Sequence, residues 1–113
     1  MEQEDKELLL RDLCARLSYG VKVKTNNINI LKLGTHTRVG EYVTDVIEPC
    51  KPYLFPLSSM TDKQQHEFLS TCNGYCDYYW TEETFDWFNK NHFDYRGLIE
   101  KGLAIDCTNL NTY

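Results

Sequence analysis

Leu9, Leu13 and Leu17 fall one helical turn apart, with Leu10 and Cys14 widening the stripe. That spacing predicts an amphipathic helix over residues 5–17 with its apolar face on a core. Glu4 and Asp5 at its start suit the positive end of the helix dipole. Gly20 marks the turn out of it. Val21-Lys22-Val23-Lys24 then alternates apolar and polar, which places both valines on one face of a strand. Asn26-Asn27 tolerates the positive φ of a tight hairpin turn. Ile28, Ile30, Leu31 and Leu33 carry the pattern into a second strand. A polar loop over 34–40 leads to a third strand over 41–47, with Val43 and Ile47 sharing a face.

Pro49, Pro52 and Pro56 end regular structure, since each lacks an N–H and restricts the residue before it. Tyr53, Leu54, Phe55 and Leu57 would pack that stretch onto the sheet. Thr61 followed by Gln64 has the form of a capping box. It predicts a helix with a buried stripe of Phe68, Leu69 and Cys72, stopped at Asn73-Gly74. Thr81-Glu82-Glu83 predicts a second start, with Phe85, Phe88 and His92 on one face. Asp94 caps a last short helix with Tyr95, Leu98 and Ile99 inward, and Gly102 takes the left-handed position after it. Leu103, Ala104 and Ile105 could add a final short strand. The expected fold is α+β: an N-terminal helix, a three-stranded antiparallel sheet, then three short helices packed on one face.

Composition narrows the picture. The 113 residues, without repeat or linker, suit a single domain over 1–113. With 42% hydrophobic and 26% charged residues the chain has an ordinary globular core and should fold without metal or disulfide staples. Twelve basic residues against 17 acidic argue against nucleic acid as a partner, because phosphate binding relies on Lys and Arg. No run approaches the ~20 apolar residues of a membrane span. The acidic start Met1-Glu2-Gln3-Glu4-Asp5 is unlike a signal peptide. The expected location is therefore the cytoplasm. There Cys14, Cys50, Cys72, Cys76 and Cys107 should be reduced thiols.

Three stretches, DLCARLSYGVKVK at 12–24, PYLFPLSSMT at 52–61 and FDWFNKNHFDYRGLIEKGLAID at 85–106, together resemble a group of short uncharacterised proteins. That group occurs in gut Bacteroidales genomes, prophages and phages. The resemblance implies a bacterial cytoplasm and a mobile-element gene, and it carries no assigned activity, cofactor or functional residue. Residues 26–40 and 71–80 lie outside it, where a copy with its own task would differ.

Candidate chemistry is thin. His66, Cys72 and Cys76 lie within eleven positions. Zinc needs about four N or S ligands, and the second pair would have to come from His66, Cys50 or Cys107. The plainer reading makes Cys72 core, and no metal is expected. No Cys–His pair sits in a recognisable nucleophile motif, and Cys14 on the apolar helix face reads as structural. His92-Phe93-Asp94 could be a base with its orienting carboxylate. The plainer reading gives Asp94 a capping role and places a cationic His92 at the end of the preceding helix. Neither GxGxxG nor GxxxxGK appears, and Lys22, Lys24 and Lys32 read as protection of a sheet edge.

The aromatic run remains. Tyr75, Tyr78, Tyr79, Trp80 and Trp87 are interleaved with Asp77, Glu82, Glu83 and Asp86. Exposed Tyr and Trp supply much of the binding energy at protein interfaces, and neighbouring carboxylates favour a basic protein partner. The alternative is that these rings cover a small core. The expected partner-binding residues are Tyr75, Asp77, Tyr78, Tyr79, Trp80, Glu83 and Trp87, with no catalytic residue and no cofactor. The expected function is a non-enzymatic phage or mobile-element accessory protein that binds a host or phage protein with a basic surface, extending to inhibition of a host defence system. The alternative is a small Cys/His-dependent enzyme or metal-binding regulator.

Overall fold

The computed structural model describes residues 3–25, 29–34, 51–72 and 80–113. Helix α1 (Gln3–Arg16) runs into a 3₁₀ turn (Leu17–Tyr19), then β1 (Lys22–Lys24), β2 (Leu31–Lys32) and β3 (Lys51–Leu54). A second 3₁₀ turn (Leu57–Ser59) precedes α2 (Asp62–Thr71) and α3 (Glu82–Lys90), and β4 (Ile105–Asp106) comes last. Among the described residues the strands form one four-stranded sheet in the order β2-β1-β3-β4. The β2–β1 and β1–β3 pairs are antiparallel, whereas β3 and β4 run parallel, so the sheet is mixed rather than antiparallel. The expected third strand over 41–47 lies outside the described residues. Its place beside β1 is taken by β3, inside the stretch read as Pro-broken. Pro52 sits near the start of that strand, and pairing with β4 begins one residue later at Tyr53, so the missing N–H costs that ladder nothing.

The core joins α1 to the sheet. Leu9, Leu13, Val21, Val23, Leu33, Leu54 and Leu98 are at most 1% exposed and form one cluster with Leu103 and Ala104. Each such side chain taken out of water contributes about 1.5–3 kcal/mol. Both valines of β1 are buried, as their alternation predicts. The α1 stripe differs from its expected composition. Leu10 is 38% exposed and Cys14 is exposed, so neither widens the apolar face. The buried positions are Leu9, Asp12, Leu13 and Arg16. Two of them are charged, and they can lie inward because they pair. Arg16 donates to both oxygens of Asp12, at 2.9 and 3.1 Å, and Arg96 donates to the same carboxylate at 2.9 Å. Arg16 also donates to the Phe93 carbonyl at 2.5 Å. Both guanidiniums also lie over the Tyr95 ring, Arg16 at 5.3 Å and Arg96 at 4.5 Å from its centroid.

Gly20 ends the first 3₁₀ turn at φ +72°, and a Cβ there would meet Lys32 Cε at 2.5 Å. Position 20 favours glycine for its left-handed conformation, whereas the flexible lysine stem could move aside. Of the three lysines read as edge protection, Lys32 alone is on the edge strand β2; Lys22 and Lys24 lie on the interior strand β1.

The region after α3 is a chain of turns instead of the expected third helix. Asp94 still behaves as a cap, its carboxylate accepting from the Leu98 and Ile99 N–H groups at 2.8 and 2.9 Å. Gly97 at φ +74° interrupts helical continuation. Residues 98–103 then close as a Schellman motif: Leu103 N–H donates to Leu98 O, Gly102 N–H donates to Ile99 O, and Gly102 is left-handed.

Candidate functional site

Two capping boxes set the site. In α2, the Gln64 N–H donates to Thr61 Oγ1 at 3.2 Å and the Thr61 N–H donates to Gln64 Oε1 at 2.9 Å. In α3, Thr84 replaces the usual Gln or Glu and exchanges the same reciprocal bonds with Thr81, both at 3.2 Å. Thr84 is fully buried, and its hydroxyl also lies 3.0 Å from that of Thr71, while Thr81 Oγ1 donates to Thr71 O at 3.1 Å. Three threonines thus bind the end of α2 to the beginning of α3 and fix the angle between them.

Phe88 fills the space the helices enclose. It is fully buried, with Trp80, Tyr95, Phe68 and Trp87 rings at 5.0, 5.2, 5.3 and 5.9 Å. Around this hub opens an apolar groove of about 460 Å³, walled by Leu57, Met60, Phe68, Leu69, Trp80 and Phe88, with Gln65 on its rim. Leu69 is 46% and Trp80 38% exposed there. The expected inner stripe of α2 is therefore corrected at Leu69. Thr71 and Cys72, at the end of α2, take the inward side instead. Phe85 is likewise 37% exposed, because α3 turns Thr84, Phe88 and Asn89 inward.

The two helices carry five carboxylates, Asp62, Glu67, Glu82, Glu83 and Asp86, against Lys63 and Lys90. The groove thus lies between acidic elements.

Of the expected binding residues, Tyr75, Asp77, Tyr78 and Tyr79 lie outside the described residues. Trp80 lines the groove, and Glu83 is exposed on the first turn of α3. Trp87 has another role. It is half-buried, stacks on Phe93 at 5.3 Å and 12°, and donates from Nε1 to Glu67 Oε2 at 3.3 Å, so it ties α3 to α2. Leu69, Met60 and Leu57 were not anticipated. The sequence carries no signal that sets Leu69 apart from its neighbour Phe68.

His92 and Asp94 do not form a catalytic pair: the aspartate is occupied by backbone N–H groups. His92 follows α3, as expected, but it is not a cation. Burial first, then the charges of Arg16 and Lys22, push its pKa down to about 4. Cys72 is disulfide-bonded, which corrects the expectation of five reduced thiols and removes Cys72 as a thiolate ligand. Among the described residues no three His, Cys, Asp or Glu side chains gather as a metal site. No described helix is long and apolar enough to cross a membrane. No family model, curated protein or solved structure matches this chain.

Proposed function

We propose that this chain is a non-enzymatic accessory protein that binds an amphipathic, basic segment of a protein partner in the α2–α3 groove. The observation that carries the reading is an apolar groove left open between two acidic helices, with Leu69 and Trp80 on its walls. An apolar floor desolvates readily, and the carboxylates carried by the two helices favour approach of a cationic partner. The resemblance to phage and prophage proteins supports a mobile-element role, with a host defence protein as the target class. Cytoplasmic residence belongs to the same proposal. The disulfide at Cys72 weighs against it, because cytosolic thiol pools keep cysteines reduced.

The test is affinity capture from a bacterial host lysate, then titration of the captured protein against the parent and the Leu69→Ala and Trp80→Ala variants. Truncation of a wall residue should weaken binding by ~1–3 kcal/mol, in the range of interface hot spots, and added salt should weaken the parent's binding. Folded variants that bind as tightly as the parent would remove the groove from the reading.

A further inference from the structure

A second region is built with unusual care. Pairing of β1 with β3 covers Val23 with Pro52 and Lys24 with Lys51. Lys22, next in register, is held instead by Tyr113. The Lys22 N–H donates to the Tyr113 hydroxyl at 2.8 Å, and that hydroxyl donates to Tyr53 O at 3.0 Å. The phenol is thus a wedge standing in for backbone pairing. Lys22 Nζ donates to Thr112 O at 2.5 Å and lies 5.4 Å from the Tyr113 ring.

The far face of that ring rests on His92, with centroids 3.6 Å apart and planes 11° from parallel. His92 occupies the left-handed position of a Schellman motif: Phe93 N–H donates to Phe88 O, His92 N–H donates to Asn89 O, and φ is +62°. That position ordinarily belongs to glycine. A histidine there is strained, and the stack on Tyr113 offsets the strain. Its Nδ1 is buried without a hydrogen-bond partner.

We propose that the segment ending in Tyr113 is an acid-released latch, in which protonation of His92 expels the tyrosine from between β1 and β3. The charges around the ring explain the direction. Arg16 of α1 and Lys22 of β1 both oppose a third cation. Asp12 is engaged by Arg16 and Arg96, and Asp94 by the Leu98 and Ile99 N–H groups, so neither neutralises an imidazolium. Tyr113 and Cys107 offer no anion either, since burial raises the pKa of both, that of the thiol to about 11. The closed latch accepts a proton near pH 4, the freed ring near its ordinary 6.5, so acidification through that interval favours release. Release leaves the N–H of Lys22 and the carbonyl of Tyr53 open to another partner.

The test is hydrogen exchange by NMR on the whole chain, with protection factors corrected for intrinsic pH dependence. The Lys22 amide should lose protection at least about tenfold between pH 7 and pH 4, the equivalent of one pKa unit. Leu13, in the core, should lose less protection than Lys22. His92→Asn, which tolerates positive φ and does not titrate, should keep Lys22 protected at pH 4. Tyr113→Leu should leave it unprotected at both values. If His92→Asn fails to fold, His92→Gly serves the same purpose. Constant protection of Lys22, equal loss in the His92 variant, or a loss at Leu13 as large as that at Lys22 would each overturn the latch.

Discussion

Asp12 accepts a 2.9 Å hydrogen bond from Arg96, a residue 84 positions further along the chain. The same carboxylate is gripped by Arg16, and all of the Asp12 and Arg16 side chains are out of water. One buried anion therefore neutralises a fully buried guanidinium and holds a second across the fold.

Asp12→Ala leaves Arg16 buried without its counter-charge, and breaking such a pair from one side costs about 3–5 kcal/mol. Chemical denaturation should show that loss, with a smaller one for Arg96→Ala, whose side chain is 19% exposed. Equal, small losses in both variants would mean that water reaches Arg16.

Thr84 joins a helix cap to an interhelical contact. Thr84→Val keeps the shape but removes the hydroxyl, leaving the Thr81 N–H without its acceptor and Thr71 without its buried partner. The expected cost exceeds that of Thr61→Ala, which removes an exposed cap worth about 0.5–2 kcal/mol. A comparison of denaturation midpoints decides the order.

Trp87 and Trp80 should separate stability from binding. Trp87→Ala removes a stack on Phe93 and a bond to Glu67, and should cost about 3–5 kcal/mol as large-to-small changes at packed aromatics do. Trp80, 38% exposed, should cost less stability and more affinity. Thermal melts beside the binding titration separate the two.

His92 adds a pH dependence to stability as a whole. Its folded pKa lies near 4, below the ordinary 6.5, so the unfolded chain takes up the proton first as pH falls. The stability tied to the neutral ring is complete above about pH 6.5 and is lost on descending toward pH 4. After discounting for the ring's partial exposure the loss is about 1 kcal/mol. It should vanish in His92→Asn when denaturation is followed at both ends of the interval.

The cysteines should react in sequence. Cys14 is exposed and will be alkylated in the native protein, while Cys107 is buried with its pKa raised to about 11 and should react only on unfolding. Cys72 should need a reductant first. Mass spectrometry of labelled peptides reads the order.

Much of this was legible in the sequence, for local reasons. Thr61, Thr81 and Asp94 were read as backbone acceptors because a short polar side chain before a helical run has few other uses. The valines of β1 followed from alternation alone. What stayed hidden was non-local. Nothing near Pro52 says that its strand will pair with a segment fifty residues later. Asp12 and Arg16 carry the four-residue spacing of a surface ion pair, and only Arg96 and the Phe93 carbonyl make an interior position affordable. The groove was half visible. Trp80 belonged to the aromatic run, whereas Leu69 was assigned inward until Thr71 took that side.

The hydroxyl of Tyr113 has a consequence for how the chain is made. It meets the Lys22 amide across 91 positions of sequence. A ribosome that has delivered β1 must translate for roughly 5–20 seconds more before that contact can form, at ~5–20 residues per second. The β1–β3 junction cannot be completed until Tyr113 has been translated. Contacts of such high sequence separation also slow folding after release, because a long loop must close before they stabilise anything. The nascent chain therefore carries an unfinished sheet until Tyr113 is made, and that interval is when a chaperone or a neighbouring nascent chain has access to its edges.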